Sequence, residues 1–156
     1  MFQGVRVFES SLTDTVFMYS IFRSMKILLL PKYGSAVAAG FSSAADDFLE
    51  NNLDLNQHLI RHPAATYLAR AQGSSMIGRG IFDGDTLIVD RAIEPKHGNI
   101  VIAALDGELT CKILDKHKQQ LVAANPKIKP IAVAENSELI IEGVVVHSIR
   151  HHVRLS

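Results

Sequence analysis

Short β-forming runs separated by turn residues follow one another from Thr66 to Arg150, and this pattern constrains the fold more than any other feature of the sequence. The runs cover residues 66–70, 86–90, 100–105, 108–114, 120–124, 131–134 and 142–150. Runs of this length and spacing are typical of an all-β domain. We therefore predict a mainly β fold.

The dipeptide Asp106-Gly107 predicts one strand pair, because it separates two of these runs and both residues tolerate the positive φ of a tight primed turn. Alternation along the strand that follows gives each face its own side chains: Leu109, Cys111 and Ile113 on one, Thr110, Lys112 and Leu114 on the other. A lysine therefore lies within a largely apolar hairpin strand.

The region before these strands has a different pattern. Residues 1–42 are irregular, with turn-forming Pro31 and Gly34 and a run of small residues at 36–40, which predicts a mobile N-terminal arm. Ser43 has the form of an N-cap and is followed three residues later by an acid, so we predict a short helix from Ser43 to about Asn52.

Composition excludes several classes of protein. The chain has 156 residues, enough for one domain, and its 16 Lys+Arg against 16 Asp+Glu give a net charge of 0, so we expect no direct sequence-specific DNA binding. Its single cysteine, Cys111, indicates a reducing compartment, and we expect a cytoplasmic protein. Arg23 and Lys26 interrupt the N-terminal apolar stretch, so we expect no membrane span.

Two features could carry chemistry together: the turn Gly73-Ser74-Ser75-Met76, directly after a predicted strand, and Lys112. Alone, such a serine is usually a turn former, and such a lysine usually reaches water at a sheet edge. Together they suggest a Ser-Lys dyad, because a buried lysine loses its charge more easily and its neutral amine can deprotonate a serine hydroxyl.

Other kinds of site are disfavoured. The seven histidines lack metal-binding spacings, and we expect neither a metal nor another cofactor. The segment Asp83-Gly84-Asp85 lacks the rest of a calcium loop and is interpreted as a solvated turn. No Gly-x-Ser-x-Gly elbow surrounds Ser75, and Cys111 is interpreted as a core residue.

Over about residues 33–148 the chain resembles the UmuD proteins of the bacterial SOS response, which share a peptidase domain with the LexA repressor. The segments that carry the resemblance are Gly40-Phe41, Ala44-Ala45-Asp46, Asp54-Leu55-Asn56-Gln57, His62-Pro63-Ala64-Ala65-Thr66-Tyr67, Gly73-Ser74-Ser75-Met76, Asp83-Gly84-Asp85, Leu87-Ile88-Val89-Asp90, His97-Gly98-Asn99-Ile100-Val101-Ile102-Ala103 and Asp106-Gly107-Glu108-Leu109-Thr110-Cys111-Lys112.

The resemblance implies a serine endopeptidase that cuts its own chain. Ser75 corresponds to the family nucleophile and Lys112 to its general base, with the backbone amides of Ser74 and Ser75 as the oxyanion hole. The scissile bond falls between Ala39 and Gly40. Residues 1–39 are then the arm that self-cleavage removes, and residues 40–156 are the β-rich peptidase and dimerisation domain.

The resemblance also implies partners. In the family, a RecA filament on single-stranded DNA assists cleavage, both forms are homodimers, and the product joins a UmuC-type polymerase in translesion synthesis. This chain departs from the family in two ways. Ser74 replaces the family aspartate, and the arm is longer, with residues 1–24 a start-site extension if translation begins at Met25.

Alternative functions follow from the same residues. If Ser75 and Lys112 only pack together, the protein is a catalytically silent UmuD-like dimeric binding module. A LexA-type transcriptional regulator would need a helix-turn-helix domain before the cleavage site, and no such pattern precedes Ala39, so this reading requires a regulator without its DNA-binding domain. Type I signal peptidases also pair serine with lysine, but they need a membrane anchor.

Overall fold

The computed structural model of the chain describes residues 29–33 and 49–153. These residues belong to two compact units, which meet in the sequence between Arg61 and His62. Within the described residues, no helix has the length and apolar character that crossing a membrane requires.

The described part of the first unit is a two-stranded antiparallel sheet followed by one helical turn. Strand β1 (Leu29–Tyr33) pairs with β2 (Leu49–Asp54), and helix α1 (Leu55–Leu59) follows directly. The pairing shifts register around Pro31, which has no N–H to donate to a partner strand. The carboxylate of Asp54 accepts a hydrogen bond from the Asn56 N–H at 3.0 Å and caps the helix.

The predicted helix from Ser43 to about Asn52 is wrong in its second part, because residues 49–52 belong to β2. Its first part lies outside the described residues. Leu49, Glu50, Leu53 and Asp54 of β2 pair with residues of β1, and local helix signals carry no information about such pairing. Strand β1 was not predicted either, since it lies within the segment interpreted as an irregular arm.

The second unit contains a seven-stranded antiparallel sheet, which confirms the prediction of a mainly β fold. Its strands are β3 (Thr66–Arg70), β4 (Thr86–Asp90), β5 (Ile100–Leu105), β6 (Glu108–Asp115), β7 (Gln120–Val122), β8 (Ile131–Ala132) and β9 (Leu139–Ile149). Their order in the sheet is β3-β4-β9-β5-β6-β7-β8. All seven predicted strands are present; β3, β4 and β5 have the predicted bounds, and the others differ at one or both ends.

The predicted hairpin turn is confirmed. Leu105 pairs with Glu108, so the turn contains only Asp106 and Gly107, whose φ values are 50° and 85°. Positive φ at both central positions gives the turn the twist of the flanking strands. The turn fixes the register of β6, in which Lys112 pairs with Val101 of β5.

Two apolar clusters cover the central strands. One contains Ala71, Met76, Ile81, Leu87, Val89 and Ile102, and the other contains Val101, Ala103, Leu114, Leu121, Leu139 and Val144. Residues of β5 alternate between the clusters, because successive side chains of a strand point to opposite faces. Both faces of the sheet at β5 are therefore packed.

Replacing Leu121 by Ala should lower the free energy of unfolding by about 2–5 kcal/mol, because this side chain is fully buried in the second cluster. Urea unfolding followed by circular dichroism measures the effect. The matched control is Leu109→Ala on β6, whose side chain is 70% exposed and should change stability by less than about 0.5 kcal/mol. Equal losses in the two variants would contradict this packing.

Candidate active site

The serine loop, defined as residues 71–85, joins β3 to β4 and carries Ser75. Its two ends are tied together by backbone hydrogen bonds. The N–H of Ala71 donates to the carbonyl of Asp85 at 2.8 Å, and the N–H of Gly84 donates to the carbonyl of Ala71 at 2.9 Å. The loop is therefore closed at its base.

Further bonds hold the serine loop from inside. The N–H of Gly73 donates to the carboxylate of Asp83 at 2.7 Å. Met76 is only 3% exposed, and its carbonyl accepts from the N–H of Arg79 at 2.9 Å and of Ile81 at 3.3 Å. Ser75 thus precedes a residue that is anchored by both its side chain and its backbone.

An ion pair between exposed Arg150 and buried Asp85 fixes the far side of the serine loop. Arg150, directly after β9, donates through Nε and Nη2 to the two carboxylate oxygens of Asp85 at 2.9 and 2.7 Å, and Nη2 also donates to the carbonyl of Gly80 at 2.7 Å. Its guanidinium lies 3.9 Å from the centre of the Phe82 ring. Asp85 is 3% exposed, so the interpretation of residues 83–85 as a solvated turn is wrong for this residue.

Lys112 lies on β6, is only 7% exposed, and meets Ser75 across 37 residues of sequence. Its Nζ lies 3.2 Å from the Ser75 Oγ, 2.9 Å from the Thr110 Oγ1 and 3.1 Å from the Cys111 carbonyl oxygen. Thr110 and Lys112 share a strand face, as the predicted alternation requires. The structure therefore brings the two predicted residues within hydrogen-bond distance.

Burial changes the acidity of both polar side chains at this point of β6. Loss of hydration lowers the pKa of Lys112 below its ordinary 10.5, and the nearby Cys111 opposes this effect. Burial raises the pKa of the Cys111 thiol to about 11, against a smaller opposite effect of Lys112. At neutral pH the thiol keeps its proton and is a poor nucleophile.

The three oxygens around the Nζ of Lys112 suit a neutral amine as well as an ammonium ion. An ammonium group has three hydrogens to donate, whereas an amine has two hydrogens and one lone pair. If Thr110 and the Cys111 carbonyl take the two hydrogens, the lone pair is left for the Ser75 hydroxyl. This arrangement can move a proton from Ser75 to Lys112.

Of the other predicted site residues, the structure describes Ser74 but not the cleavage site. Ala39 and Gly40, the predicted cleavage site, lie outside the described residues. The carbonyl of Ser74 accepts a hydrogen bond from the side-chain amide of Asn125 at 3.0 Å. Among the described residues, no group of three or more His, Cys, Asp or Glu side chains could hold a metal ion.

Three contacts of the site are not predicted from the sequence. Thr110 was placed beside Lys112 by strand alternation, but its hydroxyl was given no role. Asn125 is 51 residues from Ser74, and Arg150 is 65 residues from Asp85. Local sequence patterns do not predict contacts between residues so far apart in the sequence, because these contacts depend on which strands become neighbours in the sheet.

Comparison with known proteins places these residues in a family context. The family model described as "Peptidase S24-like" matches residues 31–146. Protein ImpA of Salmonella typhimurium is 42% identical over 130 residues, which cover 80% of this chain and 85% of ImpA. Protein MucA of Escherichia coli is 38% identical over 125 residues, 79% of this chain and 86% of MucA. The LexA repressor of Bordetella avium is 35% identical over 152 residues, 96% of this chain and 68% of that repressor.

Replacing Asp85 by Asn should destabilise the protein in a pH-dependent way. The hydrogen bonds from Arg150 lower the pKa of Asp85 to about 2, whereas an aspartate in an unfolded chain titrates near ~3.9. The stability that this shift provides is complete above the unfolded pKa and is lost as the pH falls toward 2. Urea unfolding of both proteins at several pH values should show a stability difference that shrinks below pH ~4. A difference that is the same at pH 7 and pH 3 would contradict this.

Proposed function

Since this chain belongs to the family of S24-like peptidases, we propose that it is a serine endopeptidase that cuts its own N-terminal arm, with Ser75 as nucleophile and Lys112 as general base. The matches to ImpA and MucA confirm its predicted UmuD-like character. The observation that carries the proposal is the 3.2 Å separation between the Lys112 Nζ and the Ser75 Oγ in a site where the lysine is buried.

The proposed reaction begins with Lys112 as a neutral amine. Lys112 takes the proton of the Ser75 hydroxyl, and the Oγ attacks the carbonyl carbon of Ala39. The bond from that carbon to the nitrogen of Gly40 breaks, and this nitrogen takes the proton from the Lys112 ammonium. A water molecule then loses a proton to Lys112 and attacks the ester carbonyl between Ser75 and Ala39. The bond from that carbon to the Ser75 Oγ breaks, and the Oγ takes the proton back from Lys112, which restores the starting state.

Burial sets the conditions for this reaction. A lysine with an ordinary pKa of about 10.4 is almost wholly protonated at pH 7 and cannot act as a base. Desolvation lowers the pKa of Lys112 and so enlarges the neutral fraction. The Thr110 hydroxyl and the Cys111 carbonyl orient the amine, since each accepts one of its hydrogens.

The bond between Ala39 and Gly40 suits this site because the residues before it have small side chains. Ala38 and Ala39 let an extended segment approach strand edges closely, in the manner of peptides that add a strand to a sheet. When the arm is docked for only a fraction of the time, the cleavage rate is reduced by that fraction. A RecA filament on single-stranded DNA would then act by raising the docked fraction.

The product, residues 40–156, is the proposed active form. By analogy with the UmuD proteins, it is a cytoplasmic homodimer that joins a UmuC-type polymerase as an accessory subunit in translesion synthesis. The UmuD-like relatives support this role, and the small excess of Asp+Glu over Lys+Arg in residues 40–156 supports binding to a protein rather than directly to DNA.

Purified protein should convert over time to a fragment that begins at Gly40, as intact-mass spectrometry can show. The rate should rise with pH and reach a plateau with a midpoint below 10.5, because only neutral Lys112 accepts the Ser75 proton. RecA, single-stranded DNA and a nucleoside triphosphate should increase the rate. Ser75→Ala and Lys112→Ala should each lower it by at least about 100-fold.

Lys116→Ala is the matched control for the loss of a lysine, because Lys116 lies just beyond β6 and is exposed. This variant should cleave at the wild-type rate. Cleavage by Lys112→Ala at the wild-type rate would refute the assignment of the base, and a fragment that begins elsewhere would refute the assigned bond.

A further inference from the structure

The segment after β7 forms hydrogen bonds with the serine loop on both sides of Ser75. The N–H of Gly78 donates to the carbonyl of Ala124 at 2.8 Å, and the side-chain amide of Asn125 donates to the carbonyl of Ser74 at 3.0 Å. A Cβ at position 78 would lie 2.5 Å from the Ala124 oxygen, so glycine is required for this approach. Ser75 lies between the two attachment points.

Hydrogen bonds fix the orientation of the Asn125 side-chain amide. It is 8% exposed, and its Oδ1 accepts a hydrogen bond from the Lys127 N–H at 3.0 Å. A backbone N–H can only donate, so this bond identifies the oxygen of the amide and leaves the Nδ2 to face Ser74. The backbone of Asn125 is held as well, because its carbonyl accepts from the Ile128 N–H at 3.0 Å.

The bond to Ser74 determines the direction of the next amide. The described chain contains no cis peptide bond, and in a planar trans peptide the C=O of one residue and the N–H of the following residue point in opposite directions. Because Asn125 holds the Ser74 carbonyl, the Ser75 N–H points away from Asn125. Within the described part of the chain this N–H donates to no protein acceptor.

We propose that Asn125 is a positioning residue that orients the Ser74–Ser75 peptide so that the Ser75 N–H can stabilise the oxyanion formed when Ser75 attacks. The inference rests on the proposed function, since it concerns the same reaction. Asn125 itself does not touch the reacting atoms. It acts by fixing the donor before the reaction, which is the condition under which such a donor accelerates acyl transfer.

The test measures self-cleavage of the full chain as a function of pH in Asn125→Ala and Asn125→Asp. Both variants should lower the plateau rate by about 10-fold to 100-fold, a smaller loss than complete removal of an oxyanion donor causes. Asp should have the larger effect, because its carboxylate keeps the acceptor for Lys127 but faces the Ser74 carbonyl with an oxygen. In Asn125→Ala the pH midpoint should not move, because this variant adds no charge near Lys112; the carboxylate of Asn125→Asp should raise the midpoint by favouring the lysine ammonium.

The matched control is Asn99→Ala. The Oδ1 of Asn99 accepts from the Lys96 N–H at 2.8 Å in the turn before β5, so this variant also removes a bond between an asparagine side chain and the backbone. It should cleave at the wild-type rate. Urea unfolding of every variant checks that the proteins compared are folded under the conditions of the assay.

Each other outcome identifies what has failed. Cleavage of both Asn125 variants within twofold of the wild-type plateau overturns the inference and leaves the proposed function intact. A shift of the pH midpoint in Asn125→Ala overturns it as well, because Asn125 would then act on the environment of Lys112. If the wild-type chain stays as intact as Ser75→Ala, the proposed function fails, and the inference fails with it.

Discussion

A lysine ammonium group removed from water must find other acceptors for its hydrogens, and Lys112 finds three oxygen atoms within 3.2 Å. Two of them belong to its own strand, the Thr110 hydroxyl and the Cys111 carbonyl. The third is the hydroxyl of Ser75. Because burial disfavours the charged form and the three partners also accommodate the neutral form, Lys112 can give up its proton without leaving a buried polar group unsatisfied. The proposed chemistry depends on this balance.

The sheet positions Lys112, and the attachments of the serine loop position Ser75 beside it. The two-residue turn at Asp106 and Gly107 fixes the register of β6 and therefore the position of Lys112. The serine loop is attached at its base, at Met76 in the core, and at Asp85 through Arg150. An unattached loop would spend most of its time away from the lysine, and the rate would fall with the fraction of time in contact.

The parts that the sequence predicts well are those with local causes. Strand alternation and the Asp-Gly turn predict seven strands and the face of β6 that carries Lys112. The position of β9 between β4 and β5 has no local cause, and the contacts of Asn125 with Ser74 and of Arg150 with Asp85 follow from the assembled sheet. Helix α1 was missed because five residues are too few to show a helical period. The serine turn and the lysine in β6 together suggested a Ser-Lys dyad, and the family resemblance then assigned Ser75 as nucleophile and Lys112 as general base.

The central claim is that burial gives Lys112 an unusually low affinity for its proton while it lies beside Ser75. The most direct measurement is an NMR titration of the side-chain Cε signals of lysine in the Ser75→Ala variant, with the Lys112 signal identified by its loss in a Lys112→Arg protein. We predict that this signal titrates below 10.5. A Lys112 signal that titrates at 10.5 or above would contradict the account.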